Sequence, residues 1–334
     1  MSQGLVHPAP AGLREDLADV ISVIDQKNTP VTSRIKAGSD LSNGSVFSWQ
    51  ADSYNDPSFD GVLTNADVTT FDDPAKNRVL LSGRAQKFRR SIKVDDFAQN
   101  VDNIAGVGKK KEMARGVSRA LIELKRDMES AFCSDNESQE QSGTAPYKTR
   151  GLGKWIATSQ TDLAVAASFR TPSASINTTA TASLLESDVA AVLQSVYEQT
   201  GTIDEMDLVC GPNLKKRFSE FTRYSSGSNT ALSTRQYTAP LADKTVISAV
   251  DSYIGDFGSI MLVPSLFNAK DQAAAVSSAR GYLLNMSMLE TRYGRRPRFQ
   301  ELEDQGGGPR GLVDAIAALV CWNPKGLGEF AATS

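Results

Sequence analysis

The chain has 334 residues, 40% of them hydrophobic and 22% charged, with a formal net charge of −3. That length allows two domains, the hydrophobic share is enough for a buried core, and the charge excludes a chain held to nucleic acid mainly by its overall electrostatics. A single histidine, His7, stands in a Gly/Pro/Ala-rich leader; this weighs against triads, common zinc sites and His-based proton transfer, though not against carboxylate or lysine chemistry.

Residues 1–12 carry no apolar stretch of the signal-peptide kind. Leu13, Leu17, Val20, Ile21 and Ile24 predict a short amphipathic helix that stops before Thr29-Pro30, because a residue preceding proline avoids the α region. Residues 29–45 read as an arm with little core of its own.

Residues 45–94 read as a long β-ribbon. Phe47 and Trp49 alternate with Ser48 and Gln50 in a first strand, and 77–94 is a longer β-segment around a Gly/Pro/Asn/Asp-rich tip. Charge is segregated along it. From 37 to 75 there are seven aspartates (Asp40, Asp52, Asp56, Asp60, Asp67, Asp72, Asp73) and no Lys or Arg. From 76 to 94 there are seven cations (Lys76, Arg78, Arg84, Lys87, Arg89, Arg90, Lys93) and no acid. So polar a ribbon needs a surface to lie on, and halves of opposite charge suit a second copy of the same chain. The competing reading is a solvated hairpin whose charges pair within the molecule.

Residues 112–132 predict a long amphipathic helix. Met113, Val117, Leu121, Leu124, Met128 and Phe132 form its apolar stripe, with Ala120 and Ala131, while Arg115, Arg119, Glu123, Arg126, Asp127 and Glu129 occupy the rest of the cylinder. Gly116 costs about 1 kcal/mol against Ala in mid-helix, so packing must hold the rod.

Beyond it, 134–148 reads as an exposed loop, GLGKWIA at 151–157 as a short element carrying Trp155, and 158–182 as irregular chain. A helix over 184–199, a buried strand over 205–211 and a helix from Pro212 to Phe221 predict a separate α/β lobe. A polar loop at 222–238, strands at 244–250 and 259–264, a weakly alternating 281–293 and a basic 294–300 follow. After a turn at 306–309, residues 312–322 make a last apolar strand. The three cysteines, Cys133, Cys210 and Cys321, are far apart and read as reduced, buried hydrophobes of a cytosolic product.

No motif carries chemistry. GVGKKKE at 106–112 lacks both the first glycine and the Ser/Thr of a phosphate loop, and GGGPRG at 306–311 reads as a turn. The sequence points to no catalytic, cofactor-binding or metal site and to no membrane span.

The order of elements, with LREDLADVISVIDQKNTPVTSRI at 13–35, FSWQADSY at 47–54, the 112–132 helix leading into GLGKWIA, LLESDVAAVLQSVYEQTG and MDLVCGPNLKKRFSEF within 184–221, and RGLVDAIAALVCWNPKGLG at 310–328, resembles the major capsid proteins of tailed bacteriophages, with their Hong Kong 97-type shell fold. The resemblance implies an α+β fold in named parts. These are an N-terminal arm (1–44), an extended loop (45–94), a peripheral domain with a spine helix (95–183, completed by return strands over 286–334), and an axial domain (184–285). It implies hexamers and pentamers in an icosahedral head around double-stranded DNA, with the extended loop laid across the neighbouring subunit. Asp52, Asp56, Asp60, Asp72, Asp73, Arg84, Lys87, Arg89, Arg90 and Lys93 are the inter-subunit contact residues this suggests. It also implies a portal protein, a separate scaffold, a possible decoration protein, and assembly in the bacterial cytoplasm. The rival readings are an encapsulin-like compartment shell, a soluble α/β enzyme without histidine chemistry, and a DNA-binding phage protein, for which the charge of −3 is unsuited.

Overall fold

A computed structural model of the chain describes residues 28–41, 44–96, 112–203, 206–221, 250–268 and 278–331. The expected helix over 13–24, the loop 222–238 and nearly all of the strand 244–250 lie outside these. The chain divides into two compact units, one of 1–27, 90–123 and 299–313, the other of 28–89, 124–298 and 314–334.

In the smaller unit the first half of the long helix α2 (Glu112–Phe132) explains its glycine. A Cβ at Gly116 would lie 2.9 Å from Ile92 Cγ2, so the missing side chain admits the end of a strand, β4 (Gln86–Lys93). The Val94 N–H donates to the Pro309 carbonyl at 3.1 Å. Arg119 pairs with Glu123 at 2.8 Å, supporting the exposed helix face.

The described strands form three sheets. The first is a two-stranded antiparallel ribbon, β2 (Val46–Ala51) with β3 (Val79–Arg84). The second has the order β1-β10-β11-β4, where β1 is Lys36–Ala37, β10 is Leu289–Leu302 and β11 is Arg310–Cys321. The third has six strands in the order β5-β12-β9-β6-β8-β7. These are β5 (Ile176–Asn177), β6 (Met206–Cys210), β7 (Ser252–Gly255), β8 (Gly258–Pro264), β9 (Gly281–Asn285) and β12 (Gly328–Phe330).

Helices α4 (Glu186–Thr200) and α5 (Pro212–Glu220) cover the six-stranded sheet. Val189, Val192, Leu193 and Val196 of α4 meet Leu208, Leu262, Leu283 and Phe330 of the strands, with Leu214 and Phe218 of α5, in one core. The helix pattern read from the sequence is thus the buried face of α4, but its start differs. The chain enters at Leu185, whose N–H donates to Asp188 at 2.9 Å. Gly201, at φ +74°, ends it in the left-handed conformation that favours glycine.

Three boundaries depart from the expected ones. The segment 77–94 is two strands, not one: Leu81 is buried in β3 and Phe88 in β4, so the buried parity changes at Ala85. β4 therefore leaves the ribbon and joins β11. The short strands β5 and β12 enter the sheet of the α/β lobe, although the sequence places their segments in the other domain. The basic stretch 294–300 is strand, the far half of β10.

On α2, Ala120, Leu124, Met128 and Phe132 are buried as the stripe requires, while Leu121 is 40% exposed and Glu129 is fully buried. The arm explains Glu129. Its helix α1 (Pro30–Arg34) presents the Val31 and Thr32 N–H groups to the Glu129 carboxylate at 2.8 and 2.7 Å. Lys125 closes the outside by donating to Ser33 Oγ at 2.9 Å. Burial pushes the Glu129 pKa up, against the opposing pull of the Thr32 and Val31 N–H groups and of Lys125.

Candidate assembly interface

The ribbon is fixed at its root and uncovered at its tip. Phe47, Trp49 and Ala51 alternate inward along β2, as their parity predicts. Phe47 lies opposite Gly83, whose lack of a side chain leaves room for the ring, since a Cβ there would be 2.6 Å from its Cζ. Trp49 stacks on Phe47 at 5.7 Å and meets Trp155 at 5.7 Å and Trp322 at 5.9 Å. Trp155 belongs to the short helix α3 (Leu152–Trp155), so GLGKWIA is the seat of the ribbon.

Polar groups lock the same root. Arg84, the last residue of β3, is buried; its Nε donates to Asp162 at 2.9 Å and its Nη2 to Glu140 at 3.0 Å. Beside it Arg150, fully buried, bonds Glu137 and the carbonyls of Asp162 and Leu163, and its guanidinium lies 4.6 Å from the Trp155 ring centroid. Burial works to raise the Asp162 pKa, but the bonds from Arg84 and Ser138 and the charges of Arg84 and Arg150 together outweigh it and hold it below the usual range.

Between Ala51 and Val79 there is neither helix nor strand, and every residue from 52 to 76 is exposed. Tyr54, Phe59, Val62, Leu63 and Phe71 are each at least 80% exposed. Covering one such side chain is worth about 1.5–3 kcal/mol, so the tip presents a large unmet hydrophobic demand. At the tip's base Asp52, Tyr54, Asn55, Asp73 and Asn77 line a cleft of about 460 Å³.

The ten contact residues read from the sequence separate into three places. Asp56, Asp60, Asp72 and Asp73 are exposed on the tip, with Asp52 at its base, 3.6 Å from Arg78. Lys87, Arg89, Arg90 and Lys93 are exposed on β4, outside the ribbon. Arg84 departs from the reading: its two carboxylate partners are in its own chain, which makes it an internal strut rather than an outward contact. Phe59, Val62, Leu63 and Phe71, interleaved with aspartates and flanked by Gly and Pro, are exposed apolar residues that the pattern of charge does not reveal.

Among the described residues no cluster of His, Cys, Asp and Glu is arranged to hold a metal, and no described helix is long and apolar enough to cross a membrane. The three cysteines are buried, and burial pushes the Cys210 thiol up to about 12, far from reactivity at neutral pH.

Solved structures of similar fold include phage capsids. The cyanophage A-1(L) capsid asymmetric unit matches with a TM-score of 0.65 and 13% identity over 96% of this chain and 98% of that one. The capsid of a native GTA particle matches with a TM-score of 0.61 and 11% identity over 99% and 100%. Gordonia phage Cozz matches with a TM-score of 0.60 and 13% identity over the full length of both chains. No curated protein matches the sequence. The family model described as SU10 major capsid protein matches residues 3–334. With an α+β capsid fold along its whole length and a family match of the same extent, the chain belongs to the SU10 major capsid protein family, as a structural subunit of a phage capsid shell.

Proposed function

We propose that copies of this chain join by laying the tip of the 46–84 ribbon on a neighbouring subunit, and that repetition of this contact around hexamers and pentamers builds an icosahedral head. The observation that carries this is the tip: 25 consecutive exposed residues, 52–76, with five large apolar side chains almost wholly in water, on a root held by Trp49 and Arg84. An isolated chain gains nothing from so rigid a mount for so bare a loop. A neighbour that covers it gains hydrophobic area, and a contact between different patches of identical chains propagates into rings.

The head encloses double-stranded DNA by confinement rather than by binding, which a net charge of −3 favours. Assembly takes place in the host cytoplasm with a portal protein, a separate scaffold and, on some heads, a decoration protein. The chain performs no catalysis. Sedimentation velocity of the purified chain, with negative-stain microscopy of the fastest fraction, tests the reading. Rings or closed shells are expected; a monomer indifferent to concentration overturns it.

A further inference from the structure

Asp60-Gly61, on the ribbon tip, is the only Asp-Gly pair in the chain. The amide nitrogen of a glycine that follows an aspartate can attack the aspartate Cγ, because no side chain crowds its approach. The step expels a water and closes a five-membered imide, and water then adds back to either of its carbonyls. Opening at the former side-chain carbonyl restores aspartate. Opening at the former main-chain carbonyl leaves isoaspartate, of unchanged mass, with the chain now running through the β-carbon. Nothing is oxidised or reduced, and water is the sole co-reactant.

Ring closure needs an accessible nitrogen and a backbone free to turn, and the tip provides both. Asp60 and Gly61 are exposed and lie in a stretch with neither helix nor strand. A Cβ built on Gly61 would have no atom within 4 Å. Among the described residues neither the Gly61 N–H nor the Asp60 carboxylate has a hydrogen-bond partner, whereas the Asp60 N–H donates to Ser58 Oγ at 3.3 Å. No ladder or turn bond therefore holds the two reacting atoms apart.

The other aspartates of the tip are equally exposed, so the residue after each one decides. Asp56 and Asp73 precede Pro57 and Pro74, whose nitrogens have no hydrogen to lose and cannot close the imide. Asp67 precedes the β-branched Val68, and Asp72 precedes another aspartate. Asp52, before Ser53, lies 3.6 Å from Arg78 at the base of the tip.

We infer that Asp60-Gly61 is a self-modifying site, at which unassembled subunits age to isoaspartate and lose their competence to join a shell. The chemistry stands apart from the ribbon-to-neighbour reading; the loss of competence rests on it. Isoaspartate inserts an extra main-chain carbon between Phe59 and Val62, which are 96% and 85% exposed, and so changes the spacing of two side chains that a neighbour would cover.

Fresh and aged samples of the full chain test this. After warming at neutral pH, tandem mass spectrometry of proteolytic peptides, with labelling by an L-isoaspartyl methyltransferase, is expected to find about tenfold more isoaspartate at Asp60 than at any other aspartate of the tip. Gly61→Val, at an open position without a positive φ, should fold as the natural chain does and lower that yield about tenfold. Asn43-Gly44, the one Asn-Gly pair, reacts with loss of ammonia and a change of mass, which tells it apart. When the aged chain assembles, isoaspartate at Asp60 is expected to be about tenfold rarer in the particles than in the unassembled fraction.

Isoaspartate no more frequent at Asp60 than at Asp67 or Asp72, or unaffected by Gly61→Val, overturns the inference. Equal isoaspartate in the particles and the unassembled fraction also overturns it. The ribbon contact is then judged separately by fresh chain carrying Phe59→Ser, Leu63→Ser and Phe71→Ser: failure to assemble keeps that contact, and normal assembly removes it as well.

Discussion

Val31 and Glu129, 98 residues apart in sequence, are joined by a buried hydrogen bond of 2.8 Å from the Val31 N–H to the Glu129 carboxylate. The first turn of the arm helix has no partner of its own for its N–H groups, so the spine helix caps it from outside. Arg34 extends the fastening to the α/β lobe through Asp207 at 2.7 Å.

Glu129→Ala leaves the Val31 and Thr32 N–H groups without their acceptors in a dry site. A loss of about 2–4 kcal/mol is expected in urea unfolding. Limited proteolysis should then cut the chain near 28–36 in Glu129→Ala before it cuts the natural protein there.

The two perturbed carboxyl groups give opposite pH limbs. Glu129 is raised above 4.5 by burial, so the folded state holds its proton more tightly than the unfolded one; its contribution is present at low pH and is lost as pH climbs through the raised value. Asp162 is held below 3.8, so its contribution is present above that value and is lost as pH falls below it. Urea midpoints of the natural chain should therefore fall relative to Glu129→Gln as pH rises above about 4.5, and should exceed those of Asp162→Asn above about pH 4 with the gap closing below it, so the two differences slope in opposite directions.

Arg84→Met removes a buried cation from Asp162 and Glu140 and is expected to cost about 1–3 kcal/mol, whereas Arg89→Met, on the exposed face of β4, should change the stability of the isolated chain by no more than about 0.5 kcal/mol. Equal losses in chemical unfolding would contradict the division between internal strut and outward face.

Gly116→Ala would gain about 1 kcal/mol in an isolated helix. Here the new methyl meets Ile92 Cγ2 at 2.9 Å, so no gain is expected, and Ile92→Val in the same chain does not change that because Cγ2 remains. Ile92→Ala with Gly116→Ala removes the clash and should be more stable than Ile92→Ala alone, as read by thermal unfolding.

These residues also show what the sequence made legible. Phe47 and Trp49 announced the inner face of β2 because strand parity is strict, and the α4 stripe announced its core because both sides of the pattern are filled. Glu129 was hidden because a charged residue on a long helix belongs by default to the wet face, and only the arm's two N–H groups, 97 and 98 residues away, reverse that. The break at Ala85 was hidden because apolar residues fall on both parities of 77–94. Asp314 was visible as an interruption of an apolar run, but the cations that make it tolerable, Lys87 of β4 and Arg295 and Arg298 of β10, come from strands that no local pattern connects. Four of the seven cations of the supposed ribbon, Lys87, Arg89, Arg90 and Lys93, belong to another sheet for the same reason.

The proposed contact between copies at the bare ribbon tip is tested most directly by assembly of a tip variant. Phe59→Ser, Leu63→Ser and Phe71→Ser together alter only exposed side chains, so the chain should keep the circular dichroism and urea midpoint of the natural protein. Sedimentation velocity is expected to find shells or rings for the natural chain and only folded monomer for this variant. Particles of normal size and yield from the triple variant would contradict it.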